Sequence, residues 1–449
     1  MAITIQQDPT SPNIVNSDLL YVCTSTKTSE AQMQFVCDVK DDLNNLVQRI
    51  KQQPSPNNNA VFNLGQIMTG YFDGQDNTWG ITLATRQTNT AEQYKVFFGE
   101  EYASSVSSSV ELYDGIQNAT TGSPELSGSN YYLMLNGQLN ELQLNNWNWQ
   151  SGSKLDYETP SDNNTFTHQN GLTAFDTSSI TETDYHTIAF LNGNVIGENY
   201  DVSNAQDVYV MEVSFYEEDG TLIRTDEYYN LNPRTGNSDL WSDVFTTQDQ
   251  YTKVVYFPAG PANFEGAAQD MPAGTAYYDC VFKGQNASRG INDNAIWGQY
   301  RFNIQDCSGF TPQRFAWKNQ YGVWDYFNFT KANNRSASVQ RKEYTQTFVD
   351  YSPNSFPVSY DKTRRGRVNH YNEVTKQRVA NTDWLTQTEA DNLREIFFSA
   401  NVYYYDLNNG WVPIVVTTAN ITERTNDLSQ KVFQYQMAYE YAVGQRPRQ

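Results

Sequence analysis

The stretch RFAWKNQYGVWDYFNF, residues 314–329, sets seven aromatic side chains in sixteen positions beside Arg314, Lys318 and Asp325. Phe315, Trp317, Trp324, Tyr326 and Phe329 cannot all lie on one face of a single strand, so the chain is expected to turn at 319–322. Apolar alternation on each side of that turn, Phe315 with Trp317 and then Trp324 with Tyr326, predicts a hairpin with one large aromatic face and a second, partly wet one. Such a hairpin serves either the core of an all-β domain or a platform on which sugar rings stack.

The surrounding sequence repeats the β signal. Runs of strand length bounded by polar residues stand at 19–23, 33–39, 46–50, 79–85, 94–99 and 109–115, and a helix is expected within 61–72, where Leu64, Ile67, Met68 and Tyr71 recur at helical spacing. These elements predict an N-terminal sandwich over 1–124, closed by the linker-like TGSPELSGSN. Two apolar runs, 131–135 and 187–191, each end in Leu-Asn-Gly and suggest a repeated hairpin, Asn136-Gly137 and Asn192-Gly193 being strong turn signals. Strands at 208–216, 221–229, 253–258, 276–282 and 297–304 then predict a second sandwich within an acidic central region, 125–300. The register of 221–229 is ambiguous, because its alternation is imperfect.

The C-terminal part, 301–449, carries one strong helix signal: Thr386 with Glu389 forms a capping box, Leu385 and Ala390 form a staple, and Leu393, Ile396 and Phe397 form a stripe, predicting a helix over 387–398. A hairpin through Asn408-Asn409-Gly410 and a strictly alternating strand over 431–442 follow. The fold class is therefore mainly β, with several antiparallel β-sandwich domains and one short capped helix near the C-terminus.

Charge divides the chain. Residues 301–449 hold 18 of the 30 Lys and Arg and 14 of the 51 Asp and Glu, net +4, which leaves net −25 for residues 1–300. Specific nucleic-acid binding is not expected of such a surface, since phosphate contacts need dense Lys and Arg. An acidic lining of a channel through which DNA passes without sticking is one use for it. The basic residues cluster at Lys362, Arg364, Arg365 and Arg367, with Lys376 and Arg378 shortly after and Arg446 and Arg448 at the end. In an acidic protein such a patch is expected to meet an acidic surface of a neighbouring copy, so Arg364, Arg365 and Arg367, with the aromatic Trp317, Trp324 and Tyr326, are the candidate assembly residues.

Signatures of chemistry are sparse. The three histidines, His168, His186 and His370, lie far apart in sequence, and the chain contains no Walker sequence, GxSxG or GxGxxG. The cysteines, Cys23, Cys37, Cys280 and Cys307, form no CxxC pair and are expected as buried free thiols, so no zinc site and no cofactor is expected. Asp73, Asp76 and Asn77 offer oxygens for calcium but lack the EF-hand spacing and its closing Glu. A carboxylate pair of a carbohydrate hydrolase can hide among the acids, yet nothing marks one, and an enzyme is not expected. The polar run 156–171 with Trp147 and Trp149 before it is a candidate recognition surface, which together with Trp79 makes a receptor- or glycan-binding protein the alternative function. The N-terminus lacks a signal-peptide pattern and no apolar run reaches spanning length, which predicts a protein made in a cytoplasm.

Two blocks read together carry a family resemblance. The first is 34–72, QFVCDVKDDLNNLVQRIKQQPSPNNNAVFNLGQIMTGYF, running on to FGEEYASS. The second joins 314–329 to the capped helix, SANVYYY, WVPIVV and the closing YQMAYEYAVGQRPR. Together these resemble virion structural proteins of tailed phages, of the kind found in crAss-like and related marine or Bacteroidota-infecting phages. The resemblance implies a component of a tail, neck or baseplate ring, located in the virion, whose partners are copies of itself and other virion proteins. It lies at the two ends of the chain, and 125–300 has no counterpart in it.

Overall fold

A computed structural model of the chain describes residues 3–9, 13–15, 17–41, 45–70, 79–87, 90–103, 105–114, 132–139, 172–191, 210–230, 254–264, 270–285, 291–305, 309–346, 349–350, 359–360, 366–421 and 434–442. These are mainly β, and they divide into two compact units: Met1–Asp306 with Lys318–Tyr326, and Cys307–Trp317 with Phe327–Gln449.

The first unit contains two layered β assemblies. In the N-terminal one, a three-stranded sheet runs Ile3–Gln7, Leu20–Ser25, Asn59–Asn63 in spatial order. A six-stranded sheet runs Asn13–Ile14, Tyr132–Leu135, Ala91–Ala103, Ala31–Asp41, Leu46–Gln52, with Val110–Asp114 also paired to Ala91–Ala103. Period-two alternation turns Tyr21, Cys23 and Phe62 of the smaller sheet and Phe35, Cys37, Tyr94, Phe98 and Met134 of the larger into one shared core. The second assembly faces a five-stranded sheet, Thr177–Ile180, Ile291–Ile304, Tyr277–Gln285, Val210–Tyr216, Leu222–Tyr229, with a three-stranded one, Thr187–Leu191, Val254–Pro258, Thr85–Gln87. Its core joins Phe190, Phe257, Phe282 and Tyr300 in a chain of ring contacts. Most pairings are antiparallel as expected, but Asn13–Ile14 with Tyr132–Leu135 and Thr177–Ile180 with Ile291–Ile304 are parallel.

A seven-stranded sheet runs in the order Trp324–Phe329, Gln313–Lys318, Val402–Asp406, Gly410–Val416, Gln436–Tyr441, Arg367–Asn381, Asn334–Thr345, and all of it but Lys318 and 324–326 belongs to the second unit. The expected helix forms as Gln387–Leu393 and Glu395–Phe398, begun by the Thr386–Glu389 capping box, with Leu385, Ala390, Leu393 and Ile396 buried. Gly410, at φ +70°, makes the expected turn into Gly410–Val416, and Tyr435, Met437 and Tyr439 face inward as their alternation predicts.

Several expectations need correction. The short helix expected within 61–72 forms as Gly65–Thr69, preceded by a strand, Asn59–Asn63, in which Ala60 and Phe62 are buried while Val61 is exposed. Residues 59–63 alternate against Leu20–Ser25, and the helical spacing of Leu64, Ile67 and Met68 holds only after them. The strand expected at 79–85 begins only at Thr85, because the Asn263 side chain takes the carbonyls of Trp79 and Ile81 that a neighbouring strand would otherwise bond. Asn136-Gly137 makes no hairpin: residues 136–139 run on without strand, and Gln138 N–H donates to the Gln320 carbonyl at 2.8 Å. Asn192-Gly193 lies outside the described residues. The ambiguous register of Leu222–Tyr229 resolves as a bulge opposite Phe215 and Tyr216.

Candidate functional site

The aromatic hairpin forms where expected, as Gln313–Lys318 and Trp324–Phe329, but without a wet face: nearly every residue in both strands is buried. At its turn end the buried polar groups are bonded internally. At the turn, Asn319 Nδ2 donates to the Leu172 carbonyl and to Asp325 Oδ2, at 2.8 and 2.9 Å, while Asn319 Oδ1 accepts from the Tyr321 and Val323 backbone N–H groups. Asp325 Oδ1 accepts from Ala174 N–H at 3.1 Å. Burial pushes the Asp325 carboxyl up to about 7, against the pull of those two donors. His186, also buried, has its ring within 5 Å of both Phe302 and Tyr326, with centroids 4.8 and 4.7 Å away. These groups are enclosed by packed rings and hold the turn in place.

The candidate residues therefore fall in three places. Trp317, Trp324 and Tyr326 are at most 1% exposed and are taken up by the chain's own packing, with Trp79 edge-on to Trp324 at 5.3 Å and Thr187 Oγ1 2.8 Å from the Tyr326 hydroxyl. Trp147, Trp149, Arg364, Arg365, Asp73, Asp76, Asn77, His168 and Cys307 lie outside the described residues. Arg367 is exposed and pairs with Glu343. Cys23, Cys37 and Cys280 are buried free thiols; burial lifts Cys23 to about 12, which keeps it protonated and a weak nucleophile. Among the described residues no group of three or more His, Cys, Asp or Glu is placed to hold a metal ion, and no helix is long and apolar enough to cross a membrane.

Arg367 leads to the most distinctive surface of the second unit. It begins Arg367–Asn381, which pairs from Arg367 to Val379 with Asn334–Thr345, the terminal strand of the seven-stranded sheet. Among the described residues, the other neighbour of Arg367–Asn381 reaches only Gln377–Asn381. Residues 337–345 and 367–376 thus continue past the sheet as a two-stranded ribbon, about 30 Å long at the usual strand rise. All 12 residues of Asn334–Thr345 are exposed.

The register sorts the ribbon's side chains by face. Residues that pair share a face, and alternate residues along a strand share a face. Arg335, Ala337, Val339 and Arg341 are thereby set with their partners Arg378, Lys376, Val374 and Asn372. From Arg335 to Arg341 this face carries four basic side chains and no acidic one, and at its outer end Glu343 and Arg367 share it as an ion pair. It also continues the buried face of the sheet: Arg378 pairs with Tyr439, which is fully buried, and its guanidinium lies 4.4 Å from the Tyr441 ring centre. Farther out Val339 is 40% exposed, and Asn372 Oδ1 and Arg378 Nη1 meet no hydrogen-bond partner among the described residues. The opposite face mixes signs, with Lys342 over the Tyr371 ring and Glu373 opposite Gln340.

Of this surface, sequence reasoning singled out Arg367, Lys376 and Arg378 and missed Arg335 and Arg341. Asn334–Thr345 is made mostly of small and polar residues, with only Val339 and Tyr344 as large apolar ones, so no alternation marks it as a strand. Only its pairing reveals the shared face.

The chain matches no protein-family model and no curated protein.

Proposed function

We propose that the chain is a virion structural subunit of a tailed phage, part of a tail, neck or baseplate assembly, that works by holding copies of itself and other virion proteins through broad β-sheet surfaces. The observation that carries this reading is the ribbon, a long exposed strand pair with a predominantly basic face. A two-stranded ribbon is marginal in water by itself, and an open edge of this length invites another chain. Support also comes from the mainly β architecture, from the aromatic hairpin being used for packing, and from the resemblance carried by residues 34–72 and 314–329. Sedimentation velocity and electron micrographs of the purified chain at tens of micromolar test it. Closed rings or regular oligomers are expected, and a chain that stays monomeric throughout overturns the reading.

A further inference from the structure

Within that reading, on which this inference rests, the ribbon selects its own partner. We propose that the face bearing Arg335, Arg341, Lys376 and Arg378 docks on the acidic first unit of a second copy of this chain.

Three observations lead there. The face continues a buried sheet face outward, with Val339 and Val374 along its middle, and so has the form of a core layer with no cover among the described residues. Its charge is predominantly positive, its one acid, Glu343, being paired with Arg367, and Arg335 sits directly opposite Arg378, a like-charge pair that disfavours the ribbon unless negative charge is brought to it. Residues 1–300, meanwhile, carry net −25, the complementary sign on the same polypeptide. Two ribbons facing each other would set these cations against one another, which excludes a symmetric ribbon-to-ribbon contact. Nucleic acid is the poorer occupant, because a ligand of phosphates would approach a chain of formal net charge −21.

The contact is therefore heterologous, one surface of each copy meeting a different surface of the next. Such contacts produce a ring where the rotation closes and a filament where it does not. The lysines and arginines also guard the open strand, since charge on an edge resists indiscriminate pairing while admitting an acidic partner.

The test uses the full chain with the triple substitution Arg335→Glu, Arg341→Glu and Lys376→Glu. Arg335, Arg341 and Lys376 are exposed, so the fold is retained, as judged by an unchanged thermal transition. The variant alone is expected to be monomeric where the wild type assembles, with association weakened ~100-fold or more. Its acidic first unit is intact, so it should still bind to wild-type assemblies as a terminating cap, shortening them in proportion to the amount added. Wild-type association should itself weaken steeply between low and high salt. If the variant assembles like the wild type, the ribbon is not the docking element, while the structural-subunit reading stands. A monomeric variant that wild-type protein does not capture also overturns the proposal, as does loss of duplex-DNA binding with self-association unchanged. A wild-type chain that never associates overturns the functional reading and this inference with it.

Discussion

Asn319 Nδ2 donates to Asp325 Oδ2 at 2.9 Å, so the first residue of the hairpin turn is tied to the second residue of the returning strand. The same amide donates to the Leu172 carbonyl, and its oxygen takes the N–H groups of Tyr321 and Val323. One side chain thus satisfies four buried groups. Asn319→Ala should cost about 3 kcal/mol, because each buried group left unpaired carries a desolvation penalty. Urea unfolding followed by tryptophan fluorescence checks this. Asn319→Asp should cost more, since it places a second carboxylate against Asp325.

Asp325 makes stability depend on pH. Its carboxyl is fully buried, and burial raises it from the ordinary 3.8 to about 7. The folded state therefore keeps a proton that the unfolded state releases near 3.8. The stabilisation is complete below that lower value, is lost as pH rises towards 7, and changes no further above it, a total on the order of 4 kcal/mol. Asp325→Asn removes the titration. The difference in stability between wild type and Asp325→Asn should vary between pH 4.5 and 7.5 and level off above that, and a difference independent of pH would contradict this placement of the carboxyl.

How far the chain is legible from its sequence depends on where each strand finds its partner. Gln436–Tyr441 and the Thr386–Glu389 cap are readable because their signals are local, an alternation and a reciprocal pair of hydrogen bonds. The irregular path of 79–84 is not readable, because it is set by Asn263, more than 180 residues away in sequence. Asn136-Gly137 misleads for a related reason: Gly137 serves a close backbone approach to Gln320 in place of a turn. In the ribbon, the basic residues of 367–378 stand out by composition, but their alliance with Arg335 and Arg341 exists only in the register. Composition shows how much charge there is, and pairing decides which face bears it.

The helix cap offers a local test. Thr386 N–H donates to Glu389 Oε2 at 2.8 Å, and Glu389 N–H donates back to Thr386 Oγ1 at 3.3 Å. Thr386→Ala removes the acceptor of the second bond and should cost about 1 kcal/mol, whereas Thr386→Ser should cost only a few tenths. Hydrogen exchange at the first turn of Gln387–Leu393 should quicken in the alanine variant and not in the serine one.

Gly322 and Gly274 separate two reasons for a glycine. Both have positive φ, +82° and +85°, so alanine at either meets the left-handed backbone cost of about 1 kcal/mol. A Cβ at Gly274 would meet nothing within 4 Å, so Gly274→Ala should show that cost alone. At Gly322 a Cβ would fall well inside contact distance of the Asn136 carbonyl, a backbone group that cannot swing aside as a flexible side chain would. Gly137→Ala meets the Gln320 carbonyl in the same way from the other side of this contact. Gly322→Ala and Gly137→Ala should each cost about 3 kcal/mol or more, since forcing two packed backbones apart also opens the bond from Gln138 N–H to the Gln320 carbonyl. Because both substitutions break one approach, the double variant should be little worse than either single one. Additive losses in a double-mutant cycle would mean that the two glycines act independently.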